Sequence, residues 1–292
     1  MQQIPQPKKY NPLSSYMRQP KIYITLPSKG KWWEPGALEF SENGEYPVYS
    51  MTAKDELLFK TPDALLNGQA LVDVIQSCMP NIKNGWAIPS IDIDLILIAI
   101  RLATYGERMP IPHKIPLINE EVEYDLDLKV LIDKQQQNIW IDQCVINDDF
   151  IIYLKPLTYK HLSKTSIQAF ETSRILKMVN DDALSDEKKM EVFNESFSKL
   201  TSVTIDLVAD SVYKVWTPEA EVTDLAHLRE FVHNADKELF QKIQNHLEEL
   251  KKKNNLEPLR FTTNEEQQSR GAPAEYSIPL NFNETDFFAQ GS

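Results

Sequence analysis

The most regular pattern along the chain is an alternation. VEYDLDL (Val122–Leu128) places apolar and acidic residues at every second position, the period of a strand with one buried face. Shorter runs at Ile22–Leu26 and Tyr46–Met51 read as strands too, the second following the loop ENGE. Ile139–Val145 and Phe150–Lys155 flank Asn147-Asp148-Asp149, turn formers between apolar runs, and predict a hairpin. Elsewhere the period is helical. Thr52 followed three residues later by Asp55 has the form of a capping box opening a short helix. In NGQALVDVIQSCM (67–79), Leu71, Val74, Ile75 and Cys78 share one helix face. SIDIDLILIAIRLATY is apolar almost all round and predicts a buried central helix. Ser90 is its expected cap, Asp92 and Asp94 lie against its positive end, and Gly106 closes it. From Thr158 onward amphipathic patterns over 159–180, 185–216, about 223–233 and 235–252 predict a run of helices, with Phe193, Phe197, Leu200, Val203, Thr204 and Leu207 on one face. Residues 254–292 read as mostly extended and loosely held.

Composition narrows the class. The chain has 292 residues, 42% hydrophobic, enough to bury a substantial core in one or two domains. A net charge of −12 argues against a non-specific nucleic-acid binder, which needs a basic footprint. The N-terminal segment has no apolar signal core, and the longest apolar run, Leu95–Ile100, falls far short of the ~20 residues a membrane span requires, so a soluble, intracellular protein is expected. Cys78 and Cys144 cannot form a disulfide framework and read as two buried thiols in a reducing compartment.

The search for chemistry returns little. Only 8 glycines stand against 18 prolines, and neither phosphate-loop motif is present. His113, His161, His227, His233 and His246 have no metal-ligand spacing. His227 and His233 lie about 240° apart round a helix and cannot share an ion on one face. Asp92 and Asp94, two residues apart, point to different sides of their helix and read as capping rather than as a paired-carboxylate site. No nucleophile elbow occurs. A non-enzymatic protein without cofactor is therefore expected. Aromatic residues suit a binding role instead. Trp32 and Trp33 follow a turn, and Phe287 and Phe288 sit on a polar tail; each pair either anchors in a partner pocket or folds back onto its own domain. One turn is anomalous. Ile115-Pro116-Leu117-Ile118 precedes the alternating strand, where Gly, Asn, Asp or Ser would be usual.

Four stretches, taken in order, carry a resemblance. They are MRQPKIYITLPSKGKWW, then YPVYSMTAKDELLFKTPDALLNGQALVDVIQSCMPNIKN, then WAIPSIDIDLILIAIRLATYGERM, and finally NFNETDFF. Together they resemble the baseplate-hub and tail-assembly proteins of T-even-type myoviruses, well over residues 17–160 and loosely in the helical half. The resemblance implies a non-enzymatic part of a contractile tail, structural or chaperone-like, whose partners are other tail proteins such as the baseplate hub or tape measure. It implies no nucleic-acid or membrane partner, and a place in the host cytoplasm during assembly or in the virion tail. It further implies a Cys-Pro-x-Cys knuckle before the alternating strand and a second cysteine pair near the C-terminus, a four-cysteine structural zinc site. In this chain the knuckle falls on Ile115 and Ile118, and the later pair falls near Thr262 and Gln267. With no cysteine at any of the four, no metal is expected, and apolar contacts are expected to do the fastening.

The expectation is an α+β protein, with zinc-ribbon-like hairpins without metal in a mixed first half and a helical second half. Its divisions are a flexible arm (1–20), a mixed domain (21–157), a helical domain (158–253) and an extended tail packing back on the sheet (254–292). A ribbon-type module binding nucleic acid or metal is the alternative, which the acidic balance and missing cysteines oppose.

Overall fold

Residues 12–13, 16–58, 68–179 and 186–280 are described by a computed structural model, and they form an α+β protein. β1 (Ile22–Thr25) pairs antiparallel with β2 (Glu45–Val48). The LPSKG turn after β1 uses left-handed backbone at Lys29 (φ 50°) and Gly30 (φ 77°). The left-handed backbone favours glycine at Gly30, where a Cβ would also lie 2.3 Å from the exposed Phe40 ring and push it aside. α1 (Ala53–Leu58) opens with the expected reciprocal cap. The Thr52 N–H and hydroxyl donate to Asp55 Oδ2 at 2.7 and 2.8 Å, and the Asp55 N–H donates back to Thr52 Oγ1 at 3.3 Å. α2 (Gln69–Cys78) buries Leu71, Val74, Ile75 and Cys78, the face that its sequence period selects.

α3 (Ser90–Tyr105) is the buried central helix, covered at every position from Ile91 through Ala103 apart from Asp94. Its cap differs from expectation. Pro89 occupies the cap position, and Ser90 is the first helical residue, drawn in by an N–H bond to Leu157 O at 2.7 Å. Gly106 closes the helix at φ 99° as expected, its N–H bonded to Leu102 O at 3.0 Å. β3 (Arg108–Lys114) and β4 (Glu121–Asp127) form a regular antiparallel hairpin, and α4 (Leu128–Gln135) follows, capped by the Asp127 carboxylate.

β5 (Gln143–Asn147) and β6 (Phe150–Leu154) make the hairpin that the Asn147-Asp148-Asp149 turn predicts. α5 (Tyr159–Val179) and α6 (Asp186–Ser211) then run as a long helical pair. The helical pattern expected to continue to 216 stops at Ser211. Val212–Trp216 is instead β7, pairing with β6 in the register Leu154–Val212, Ile152–Val215 and Ile151–Trp216. VYKVW is β-branched and aromatic, and it turns Val212 and Val215 into the core, an arrangement that sheet burial favours over a continued helix. β8 (Glu221–Val222) completes a four-stranded sheet ordered β5-β6-β7-β8. α7 (Leu225–His233) and α8 (Lys237–Asn254) follow, each capped by an aspartate, Asp224 and Asp236.

The segment after 254 is more ordered than its composition suggests. β9 (Leu259–Thr262) and β10 (Glu275–Ile278) pair antiparallel, and between them α9 (Glu265–Ser269) carries a full capping box from Asn264 and Gln267. Near the N-terminus, Arg18 is tied to the carbonyls of Ser50 and Ser77, both at 2.6 Å. Two apolar clusters result. One gathers β1, β2, α2, α3 and α4; the other gathers β5, β6 and β7 with the end of α6 and with α7 and α8. Both cysteines are free and buried, and burial pushes the Cys78 thiol up to about 12, so it stays protonated and unreactive. Among the described residues, no helix is long and apolar enough to cross a membrane.

Candidate docking surfaces

The anomalous turn has a definite geometry. Ile115 is 2% exposed, its N–H bonded to Glu120 O at 2.9 Å and its carbonyl accepting the Asn119 N–H at 3.0 Å. Ile118 is partly buried, whereas Leu117 is 80% exposed and left-handed at φ 69°. The turn is fastened to the C-terminal segment. Glu120 accepts from Gln267 Nε2 at 3.1 Å and from Arg270 at 2.5 Å, and these donors hold its carboxyl below the usual carboxylate range. Behind the turn the two hairpins share a ring cluster. His113 stacks on Phe261 at 4.6 Å and bonds to the Tyr276 hydroxyl at 3.0 Å, and Phe261 also meets Tyr124 edge-on at 5.2 Å.

Of the four knuckle positions, Ile115 is turned inward and Gln267 joins the fastening through Glu120. Thr262 is exposed on β9, and the inward residue there is its neighbour Thr263, whose hydroxyl donates to Pro273 O at 2.6 Å. Two isoleucines, a threonine and a glutamine offer no thiolate or imidazole, so these residues do not fit a tetrahedral zinc site. Among the described residues no group of three or more His, Cys, Asp or Glu is placed to hold a metal ion.

The tryptophan pair folds inward. Trp33 is 9% exposed and belongs to the first cluster, so its ring faces the core rather than a partner; its Nε1 donates to Asp92 Oδ2 at 3.0 Å and to Ser28 Oγ at 3.2 Å. Trp32, left-handed at φ 69°, sends its ring the other way. It packs against the second cluster, edge-on to Trp140 at 6.3 Å and beneath the Lys31 ammonium at 4.6 Å. Asp92 is fully buried at the centre of this knot and does not act as a simple helix cap. Ser28 donates to it from its N–H at 2.8 Å and its hydroxyl at 2.5 Å. Burial pushes its acid up to about 6, against the opposing pull of the Ser28 and Trp33 bonds. Nothing local in the sequence pairs Asp92 with residues this far back in the chain. Phe287 and Phe288 lie outside the described residues.

The outer half of the α5–α6 pair is legible in the sequence only as a helix period. Met190, Phe193, Phe197 and Leu200 recur along one side of α6, and all are exposed, Phe197 at 64%. The Phe193 and Phe197 rings stack on each other at 6.5 Å. Ile167 and Phe170 on α5 are exposed as well. At the inner end of the pair, Asp210 of α6 binds His161 of α5 and Arg229 of α7, so this end is anchored while the outer apolar side is left uncovered.

No curated protein and no solved structure matches the chain. A family model does, described as the T4 bacteriophage base plate protein, and its match runs over residues 17–266, from the first anchored residues before β1 into α9. The extent of that match covers both apolar clusters, the inward tryptophan pair and the uncovered helical pair alike, and the chain belongs to the T4 bacteriophage base plate protein family.

Proposed function

We propose that this baseplate protein is a non-enzymatic structural or assembly component of the contractile tail, working through protein–protein contacts with hub proteins or the tape measure. The observation that carries the reading is the apolar side of α6. Four large apolar side chains at helical spacing, left uncovered on a helix whose other end is firmly packed, form a surface of the kind that partners bury. Family membership supports the same reading, since a baseplate is an assembly of many chains.

A structural part stays in the mature particle, whereas an assembly chaperone leaves it. Quantitative mass spectrometry of purified virions separates the two: copies at fixed stoichiometry support the structural role, and their absence supports the chaperone role. Docking itself is tested with the Phe193→Asp, Phe197→Asp double variant. It is expected to fold normally, because both rings are exposed, and to lose co-purification with the co-expressed tail proteins of the same genome. Unchanged co-purification would remove the α6 side from the interface.

A further inference from the structure

A second recess, separate from the α6 side chains, lies where the start of α3 meets the end of α8. It is a cleft of about 230 Å³ walled by Ile93, Trp140 and Leu162, with Asp94, Lys251 and Asn255 among its polar lining. That space holds far more than one water, at roughly 30 Å³ for each in the liquid. Asp94 is the unusual member. Two residues earlier Asp92 collects three donors, yet Asp94 has no hydrogen-bond or ion-pair partner among the described residues. Burial alone pushes its acid up to about 6, so at neutral pH it is mostly an ionised carboxylate at the edge of the cleft. Asp94 is partly exposed to the cleft and left unpaired by the fold, so its carboxylate is open to a counter-charge that arrives from outside.

We propose that this cleft receives a cationic side chain, an arginine, from a partner protein, with Asp94 as its counter-charge. The choice of arginine follows from the walls. Trp140 spends its indole N–H on Leu154 O at 2.8 Å, so it offers the cleft apolar ring surface, on which a planar guanidinium stacks. The guanidinium presents several N–H donors in a fixed fork, and the recess supplies acceptors for them: the Asp94 oxygens, the Ser90 hydroxyl and the Asn255 side-chain amide, which has no partner among the described residues. Lys251 stands exposed at the mouth and makes no ion pair among the described residues. It is the internal rival for Asp94, and its strongly hydrated ammonium loses more on packing against the apolar walls than a guanidinium does. That the arginine arrives on a protein rests on the docking reading above; the cleft's preference for a guanidinium does not.

The test uses the full chain and a small probe, N-acetyl-arginine methylamide, with the uncharged citrulline analogue as control. The expected result is a concentration-dependent rise in Tm with the arginine probe alone, accompanied by a shift of the Asp94 side-chain carbonyl in carbon NMR. In Asp94→Asn the probe's effect is expected to fall at least tenfold. In Lys251→Ala it is expected to be retained or strengthened. Equal effects of the two probes, or none from either, would overturn the proposal without touching the α6 reading. So would a loss of stability in Lys251→Ala that vanishes in the Asp94→Asn background, because Lys251 would then be the partner of Asp94. The comparison of probes on the unaltered chain needs no variant to fold.

Discussion

Leu117 holds a position that costs more than its packing visibly returns. A side chain in left-handed backbone loses about 1–2 kcal/mol relative to the right-handed region, and Leu117 recovers little of this through packing because it is 80% exposed. Leu117→Asn is therefore expected to raise stability by about 0.5–1 kcal/mol in urea unfolding, since asparagine tolerates that backbone. Ile115, two positions earlier, should behave in the opposite way. Its truncation to alanine is expected to cost about 2–4 kcal/mol, with Ile118→Ala clearly milder because that side chain is only partly buried. Asp94 gives a pH signature. Its folded acid lies at about 6, above the value near 4 of an unfolded chain, so the folded state binds the proton more tightly. Its contribution to stability is full below about pH 4 and is lost as pH rises through about 6. Denaturation at pH 4.5 and 7.5 should show a smaller loss across that interval in Asp94→Asn than in the unaltered chain. The odd residues of the 115–118 turn are visible in the sequence. That Ile115 is inward and Leu117 outward is not, because left-handed backbone at Leu117 and Asn119 decides it and a leucine carries no mark of that conformation.

Elements are legible where one period runs unbroken between clear stops. The capping box at Thr52 and Asp55, the apolar face of α2, the hairpin at Asn147–Asp149 and the helical runs of α7 and α8 all follow from local pattern. The transition from α6 to β7 does not. Ser211 and Val212 are adjacent residues without a Gly or Pro between them, and only the waiting edge of β6 makes the strand the better solution. Val215→Lys should then do more than remove a methyl group. It puts a charge into the sheet's buried face, and is expected to destabilise by roughly 3 kcal/mol or more, whereas the same change at an ordinary exposed helix site would be nearly neutral. The apolar side of α6 can be read as a helix face, but its exposure cannot, because periodicity reports that a face is apolar without saying what covers it.

For the molecule as a whole, the joint between the two apolar clusters matters most. Neighbouring tryptophans are sent to opposite clusters by the left-handed backbone at Trp32, and α3 reaches both, with Ile91 in one cluster and Ile93 in the other. Trp33→Ala is expected to cost about 3–5 kcal/mol, and calorimetry should show the two clusters melting less cooperatively than in the unaltered chain. Local pattern places the tryptophans after a turn and leaves open where they point, because both partners, Asp92 and Trp140, are remote in the chain. The same remoteness shapes the four-stranded sheet. β6 is complete at Leu154, but the strand that covers its open edge begins at Val212, after the whole of α5 and α6. At a synthesis rate of about 5–20 residues per second, that edge stands open on the ribosome for roughly 3–12 s. A nascent chain of this kind is most vulnerable to mispairing in that interval, and a fragment ending at Ser211 should aggregate where one ending after β8 and its two covering helices does not.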